Sequence, residues 1–529
     1  RDEISYALKK LKNCKSAGVD EITNEQLKYG GSALVGQLEL LFKKVWEEEV
    51  IPEDWLKGVI VVIGKKGDTS YCCNNRGITL RATSSKVLQM VLLKRLDVGM
   101  ECLLRENQCG FRRNRSCIDQ IYSIRTIIHN CIEFNIPSLY VNFIDFKAAF
   151  DSIRREFIWS SMRHYGLPEK YVRIFQAFFN GTMSAVRVDG EMSDWFSVNS
   201  GTGQGDIQGP PVFNFCLNFG IFLAEVHKAI SHGAVLQKEL KGADEKVVMD
   251  SDYADDLAVM DNTEEGLQES TDLIAYYTSY AGLKINAKKT QCMAISKCAS
   301  QRPYTERDSI MLTVEGEPVE QVSNFVYLGA NISGDGTIDR DLDIRIQRAN
   351  GAFHQLWKIW NSRTIRTPTK IRIYKAAVIT ILLYGAEVWN TTKKQMKRFE
   401  VFHLTSLRRI LKIKWFFHVS NEEVLRRAGI KSIETFIGSA RLRWYGHVAR
   451  MPETRLPNFL LDWKPNYGKR LRGRPRKGWM ACVLEDAAVF TGVDNISRDA
   501  VKQLALKRVE WRNMLHRRRD VCDAGHSND

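Results

Sequence analysis

Phe143-Ile144-Asp145-Phe146-Lys147-Ala148-Ala149-Phe150-Asp151 and, further along, Tyr253-Ala254-Asp255-Asp256 are the stretches on which the reading of this chain turns. In the first, an apolar run ends on a carboxylate, which predicts a buried strand over residues 138–145 with Asp145 at its tip. In the second, apolar runs at 247–254 and 257–260 flank two acids, which predicts a hairpin carrying them at its turn. Adjacent carboxylates repel, so a bound cation is one reason to place them there. A solvated surface turn is the alternative for an isolated Asp-Asp. Two-metal phosphoryl transfer needs hard oxygen ligands that hold its ions about 4 Å apart. Asp145, Asp255 and Asp256 are therefore the expected catalytic carboxylates and ligands of two Mg²⁺ ions, with Mn²⁺ able to substitute. Asp145 and Asp255 are the primary pair, and Asp256 is the more peripheral. Phe150 admits two readings, core packing or a wall beneath a bound sugar. Asp151 fits an N-cap as well as catalysis.

The 529 residues are too many for one ordinary domain, and 44% hydrophobic content can fill several cores. Lys and Arg number 77 against 62 Asp and Glu, a net charge of +15. That excess suits a polyanionic partner, though it also aids solubility. The 12 cysteines form no CxxC pair and no signal peptide precedes them, which favours reduced thiols over a disulfide scaffold. Cys522 and His526 have the spacing of half a zinc site without an upstream pair. The apolar stretch 211–226 is interrupted by Asn214 and Asn218 and reads as a buried helix, not a membrane span. The chain starts at Arg1 within a helical pattern (Ile4, Leu8, Leu11), as a fragment or processed product would.

Outward from the acids, residues 38–50 read as an amphipathic helix stopped by Ile51-Pro52. A strand over 58–64 follows, with Lys65-Lys66-Gly67-Asp68 as its turn. Residues 152–164 read as a helix ended by Gly166-Leu167-Pro168. Residues 183–188 and 192–198 read as a hairpin around Asp189-Gly190-Glu191. A helix from 211 with a turn signal at Ser231-His232-Gly233, a helix over 266–280 and a short β region over 309–332 complete an α+β body. Beyond about 336 the pattern is helical, including 368–383 with Thr367 as candidate N-cap. Residues 441–480 carry many Lys and Arg against only Glu453 and Asp462.

These motifs, in this order, resemble the reverse transcriptases of non-LTR, LINE-type retrotransposons, over nearly the whole chain. The resemblance makes Asp145, Asp255 and Asp256 the metal carboxylates and Phe150 the sugar gate. Gly201-Thr-Gly-Gln-Gly-Asp-Ile-Gln-Gly-Pro210 is similar to the family's nucleotide- and template-contacting turn, which implicates Gln204 and Gly205. The family usually has a basic residue at the place of Gly203, often Cys at that of Asp206, and commonly Tyr at that of Asn75. Gly282-Leu-Lys-Ile-Asn-Ala-Lys-Lys-Thr290 resembles the next motif, with Lys289 facing pyrophosphate; a lone lysine is otherwise simply solvated. Phe325-Val-Tyr-Leu-Gly329 resembles a primer-gripping turn, which implicates Tyr327, Leu328 and Gly329. Lys65, Lys66 and Asn74-Asn75-Arg76-Gly77-Ile78 resemble the triphosphate-facing segment, where a guanidinium at Arg76 spans phosphate oxygens. Gln108-Cys-Gly-Phe-Arg-Arg113 matches a further block, with Arg112 toward phosphate.

The implied architecture is a right-hand polymerase of α+β class. Fingers span 1–135, a palm with an antiparallel sheet spans 136–336, a helical thumb spans 337–440, and a basic helical extension spans 441–529. In that extension Arg472, Arg474 and Arg476 are candidate nucleic-acid contacts. Arg441-Leu-Arg-Trp-Tyr-Gly-His447 either stacks bases or buries Trp444 and Tyr445 under a solvated basic face.

The expected partners are an RNA template, a DNA primer, target DNA and dNTPs, with no membrane. The expected locations are the nucleus at integration and the cytoplasm during ribonucleoprotein assembly. No nuclease domain of the family is recognisable, so target nicking is expected to need an upstream endonuclease absent from this chain. An RNA-dependent RNA polymerase is a rival that Phe150 opposes. A decayed or repurposed RNA- or DNA-binding protein is the non-enzymatic rival, favoured by the departures at Gly203, Asp206 and Asn75.

Overall fold

A computed structural model describes residues 1–523 apart from 66, 137, 204, 232–249, 296–308, 466, 467, 471, 472 and 474. Lys66, Gln204, Arg472, Arg474, the Ser231-His232-Gly233 turn signal and the Cys522–His526 pairing thus fall wholly or partly outside the described residues.

The Leu139–Ile144 strand lies at the centre of a five-stranded sheet. In order, the strands are Glu320–Gln321, Gln291–Ile295, Leu139–Ile144, Asp256–Asp261 and Asp250–Tyr253. All pairings are antiparallel except that of Glu320–Gln321 with Gln291–Ile295. Because side chains alternate along a strand, this sheet divides two cores. Ile144, Leu257, Val259, Cys292 and Ala294 face one, with the helices Gly209–Ser231 and Glu264–Tyr280. Val141, Phe143, Ala258, Met260 and Met293 face the other. Burial on both faces explains why the strand reads as an almost unbroken apolar run.

A second sheet holds Lys57–Gly64 between Asn75–Leu80, which is antiparallel to it, and Met183–Val188, which is parallel. The Asn75–Leu80 strand was not expected. Polar Asn75 and Arg76 and the flexible Gly77 weaken its local pattern, and pairing with Lys57–Gly64 overrides that. The expected 192–198 strand is instead two short pieces, Glu191–Met192 and Phe196–Ser197, both paired to Met183–Val188. The connection is a two-residue turn, Asp189-Gly190, with φ of 50° and 94°, the left-handed pair a tight hairpin requires.

The early helix runs Gly31–Glu48 and closes on left-handed Glu49. The helix expected over 152–164 is two pieces, Ala149–Ser152 and Arg155–His164. Asp151 lies inside the first, whose cap position is Ala148, so Asp151 is not an N-cap. Thr367 is likewise the first residue of its helix, Thr367–Tyr374, and Arg366 holds the cap position. That helix continues through a wider π turn, Lys375–Ile379, into Thr380–Leu382.

The second core does not stop at the sheet. Trp444, Val448, Met451, Leu456, Leu460 and Trp463 pack into it against Ile121, Tyr122 and Ile128. Trp444 lies 4.6 Å from Tyr122, centroid to centroid, and Arg455 binds Asp119 at 2.9 Å. The stretch after 440 is therefore part of the body behind the catalytic sheet. Among the described residues the cysteines are free, and no helix is long and apolar enough to cross a membrane.

Candidate active site

Ile144 pairs with Leu257 and Tyr253 with Asp256, so the tip of the central strand and the turn of the neighbouring hairpin meet at one edge of the sheet. Asp145, Asp255 and Asp256 gather there. The turn depends on Ala254, held at φ 58°. Gln108, fully buried, clasps that residue. Its Oε1 accepts from Ala254 N at 2.9 Å and from Gly110 N at 2.7 Å, while its Nε2 donates to Ala254 O at 3.4 Å. A Cβ on Gly110 would sit 2.1 Å from Ala254 N, so only glycine permits this approach. Cys109 N donates to Asp252 O at 2.9 Å, and Asp252 N to Asn107 O at 3.2 Å, so residues 107–110 act as a further strand along the hairpin.

Beneath the hairpin, Arg105 binds Asp250 at 2.7 Å and both Asp252 and Glu225 at 2.5 Å. Burial and the neighbouring Asp250 push the Asp252 carboxyl well above the usual carboxylate range, against the pull of Arg105. Three acids around one cation in a dry site cannot all ionise, because the single guanidinium offsets only one of their charges.

Asp145 is fixed by the 282–290 motif. Thr290 Oγ1 accepts from its N–H at 3.2 Å, Asn286 N donates to its carbonyl at 2.7 Å, and Asn286 Nδ2 donates to its Oδ2 at 3.3 Å. Lys289 Nζ stands 3.9 Å from the same Oδ2 and is otherwise exposed. Burial, then the negative charge of Asp145, raises the Asp255 carboxyl, and Arg76 opposes the rise. Burial, then Asp255 and Asp145, push Asp256 up to about 6. Asp255 thus feels Asp145, and Asp256 feels both. Among the described residues no group of three or more His, Cys, Asp or Glu is placed to hold a metal ion. Asp145, Asp255 and Asp256 still offer only carboxylate oxygens, the donor type Mg²⁺ takes.

Around the acids, Arg76 is exposed on its strand and faces Asp255, while the charge of Lys65 acts on Asp151. Gly201 and Thr202 pack on the Ala149–Ser152 helix, and Gly205 packs on the Asn75–Leu80 strand. Thr202 N donates to Phe150 O at 2.9 Å, and a Cβ on Gly201 would lie 2.7 Å from Asp151 Cα. Gly205, at φ 108°, would place a Cβ 2.8 Å from Thr79 O. Asp206 is buried against Arg81 at 3.5 Å. Phe150 is half-buried, stacked on Phe213 at 4.3 Å and at 87° to the Phe111 ring, so it is a packing residue that stays partly exposed.

Arg112 requires correction. Its five N–H groups are all engaged by Glu101, by the Glu101 carbonyl, and by the carbonyls of Arg105 and Gln108, so none is left for a phosphate. Tyr327 is also redirected: its buried hydroxyl donates to Ser251 O at 2.7 Å, behind the catalytic hairpin. Its side chain cannot touch a primer. Leu328 and Gly329 do form an accessible turn, held by Tyr384 Oη to Leu328 O at 2.7 Å and by Arg345 to Gly329 O. Arg476 is exposed but tied to Asp335 O at 2.9 Å. Trp444 and Tyr445 are buried, so base stacking on them is ruled out, and Arg441 is paired with Asp486. Gln108, Arg105 and Asn286 were missed as site residues because their partners lie far away in sequence.

A mixed α+β chain with carboxylates set at a strand tip and a hairpin turn is the class of protein defined here. The chain belongs to the reverse transcriptase (RNA-dependent DNA polymerase) family, whose model matches residues 63–332. A domain of unknown function matches residues 352–384. The chain is similar to a probable RNA-directed DNA polymerase from transposon BS of Drosophila melanogaster, with 25% identity over 90% of this chain and 51% of that protein. It is also similar to the RNA-directed DNA polymerase from the mobile element jockey of the same species, with 22% identity over 80% of this chain and 45% of that one. These relatives agree with the LINE-type resemblance of the motifs. The chain spans about half the length of the relatives it matches. A telomerase from Candida tropicalis overlaps with a TM-score of 0.40 at 13% identity, over 81% of this chain and 68% of that one.

Proposed function

We propose that this chain is the RNA-directed DNA polymerase of a LINE-type retrotransposon, copying element RNA from a DNA primer. The observation that carries the proposal is the meeting of the Asp145 strand tip with the Asp255-Asp256 hairpin turn at one sheet edge, where the charge of Asp145 raises the proton affinity of both hairpin acids. In this reading 1–135 are fingers, 136–336 palm and 337–440 thumb, with 441–529 bracing the palm from behind. Two Mg²⁺ ions held by the three carboxylates would supply activation of the primer 3′-OH and charge neutralisation at pyrophosphate.

The chain's own residues do the rest. Arg76 and Lys65 approach from the second sheet, where their charges suit the triphosphate of an incoming dNTP. Lys289, beside Asp145, suits the departing pyrophosphate. The exposed part of Phe150 excludes a 2′-OH by volume, its ring held against Phe213. Gly205 lets the backbone turn closely over the nucleotide, and Gln204 belongs to the same motif. Leu328 and Gly329 seat the primer end. In this reading an endonuclease nicks the target DNA, integration takes place in the nucleus and particle assembly in the cytoplasm.

The test is primer extension on RNA with dNTPs and Mg²⁺, alongside template-binding measurements. Asp145→Asn and Asp255→Asn are expected to abolish extension and to leave template affinity within about twofold, since the ligands act on chemistry rather than docking. A wild-type protein that binds RNA tightly but extends nothing under any divalent metal would overturn the polymerase reading in favour of a binding protein.

A further inference from the structure

The 441–447 motif loses its aromatic role to the core, but Arg443 and His447 remain exposed on the outer face of the Ile433–Val448 helix. Beside that face lies a cavity of about 300 Å³ whose walls include Arg443, Arg450, Arg508, Arg512, Trp511 and His516. Among the described residues no Asp or Glu lines it. Arg443, Arg508 and Arg512 make no side-chain hydrogen bond or ion pair with any described residue, while Arg450 donates to Ala505 O. The cavity is built rather than incidental. Trp511 is buried with its indole N–H on Leu442 O at 3.1 Å, and Gly446 is the residue that lets the indole in: a Cβ there would lie 2.2 Å from Nε1.

Four guanidiniums in one recess repel. Burial and the charge of Arg508 both lower the proton affinity of Arg450, and Glu387, which feels Arg443, is not part of the wall. Arg105 and Arg441, both withdrawn from solvent, are matched by acids. Here no described acid lines the recess, and the exposed Arg443, Arg508 and Arg512 are open to an anion from outside. Guanidinium forks match phosphate oxygens bidentately, and a ligand of several linked phosphates neutralises several of them together. The Trp511 N–H is already used, so recognition is by charge and not by base.

We infer that this cavity is a phosphodiester-binding site, which grips the backbone of a nucleic acid strand away from the catalytic acids and without regard to sequence. It rests on the reading that the chain handles nucleic acid, but not on the chemistry at Asp145 and Asp255. RNA and DNA backbones share the required chemistry.

The test uses the full chain and fluorescein-labelled single-stranded RNA and DNA of one sequence, with affinity measured across a salt series. Arg508→Gln with Arg512→Gln is expected to weaken binding on the order of tenfold and to flatten the slope of log affinity against log salt by about one and a half, two phosphate contacts' worth. Arg508→Lys with Arg512→Lys should keep the slope. Extension at saturating template should be unchanged in both, so failure here is distinct from failure of the polymerase reading. A stronger effect on one labelled strand identifies the bound nucleic acid. Unaltered affinity and slope in the Gln variant overturns the inference. So does equal loss in the Lys variant, which would mean a structural role. So does inorganic phosphate raising the melting temperature of the wild type, but not of the Gln variant, while strand affinity stays the same, which would mark a small-anion pocket.

Discussion

Gln108 shows how one amide governs a catalytic turn. Ala254 needs a left-handed backbone, a conformation costing roughly 1 kcal/mol outside glycine, and Gln108 satisfies both its N–H and its carbonyl. Gln108→Leu would leave buried N–H groups on Ala254 and Gly110 unpaired, at about 1–3 kcal/mol each. We expect kcat for extension to fall at least about tenfold with template affinity retained, because an ångström of ligand displacement is enough. Equal extension rates in a Mg²⁺ titration of both proteins would show that the turn holds itself. Phe150→Val tests the sugar wall. Ribonucleotide incorporation should rise relative to deoxyribonucleotide, read from single-nucleotide additions, and an unchanged ratio would leave Phe150 as packing alone. Both residues stand in motifs visible in the sequence. Only Phe150 was legible as functional, since the partner of Gln108 lies 146 positions away.

At the level of elements, periodicity predicted the palm strand, the acid hairpin and the long buried helix. It failed where pairing outweighed local preference, in the Asn75–Leu80 strand and in the split return of the second hairpin. In the helical region His403, on the Lys393–Leu411 helix, ties two neighbours together. Its Nε2 faces Lys431 O at 3.1 Å, and its Nδ1 faces Tyr374 Oη at 3.0 Å. A carbonyl can only accept, so Nε2 carries the proton and Nδ1 receives the phenol's. Burial lowers the imidazole to about 4, against an unfolded value of about 6.5. Below 6.5 the unfolded chain takes up a proton that the folded chain refuses. The stability is therefore full above 6.5 and is lost as pH falls toward 4, by about 3 kcal/mol in all. Denaturant midpoints should decline across that window in the wild type and less steeply in His403→Gln. Parallel profiles would remove the assignment.

Over the whole molecule, the basic carboxyl region is tied to the catalytic sheet through a shared core. Trp444, Val448, Leu460 and Trp463 cover Ile121, Tyr122 and Ile128, and Asn130 donates to Trp463 O at 3.0 Å. Removing residues after 440 uncovers that face, and a large aromatic lost from a core costs about 3–5 kcal/mol. A chain ending at 440 should melt at lower temperature and aggregate, as read by calorimetry and size-exclusion chromatography. A monomeric truncation with the wild-type melting temperature would falsify the shared core.

The sequence by itself determined where the acids stand, their order along the chain and their places on a strand and a hairpin, because period-two burial and turn chemistry are local properties. Only the tertiary structure decided who holds those acids in place. Arg112 proved to be wholly committed to its own neighbourhood, Tyr327 to the back of the hairpin, and Trp444 and Tyr445 to the core. A charge or a ring looks the same in sequence whether its partner is water, a phosphate or a distant stretch of the same chain. Long-range contact settles which.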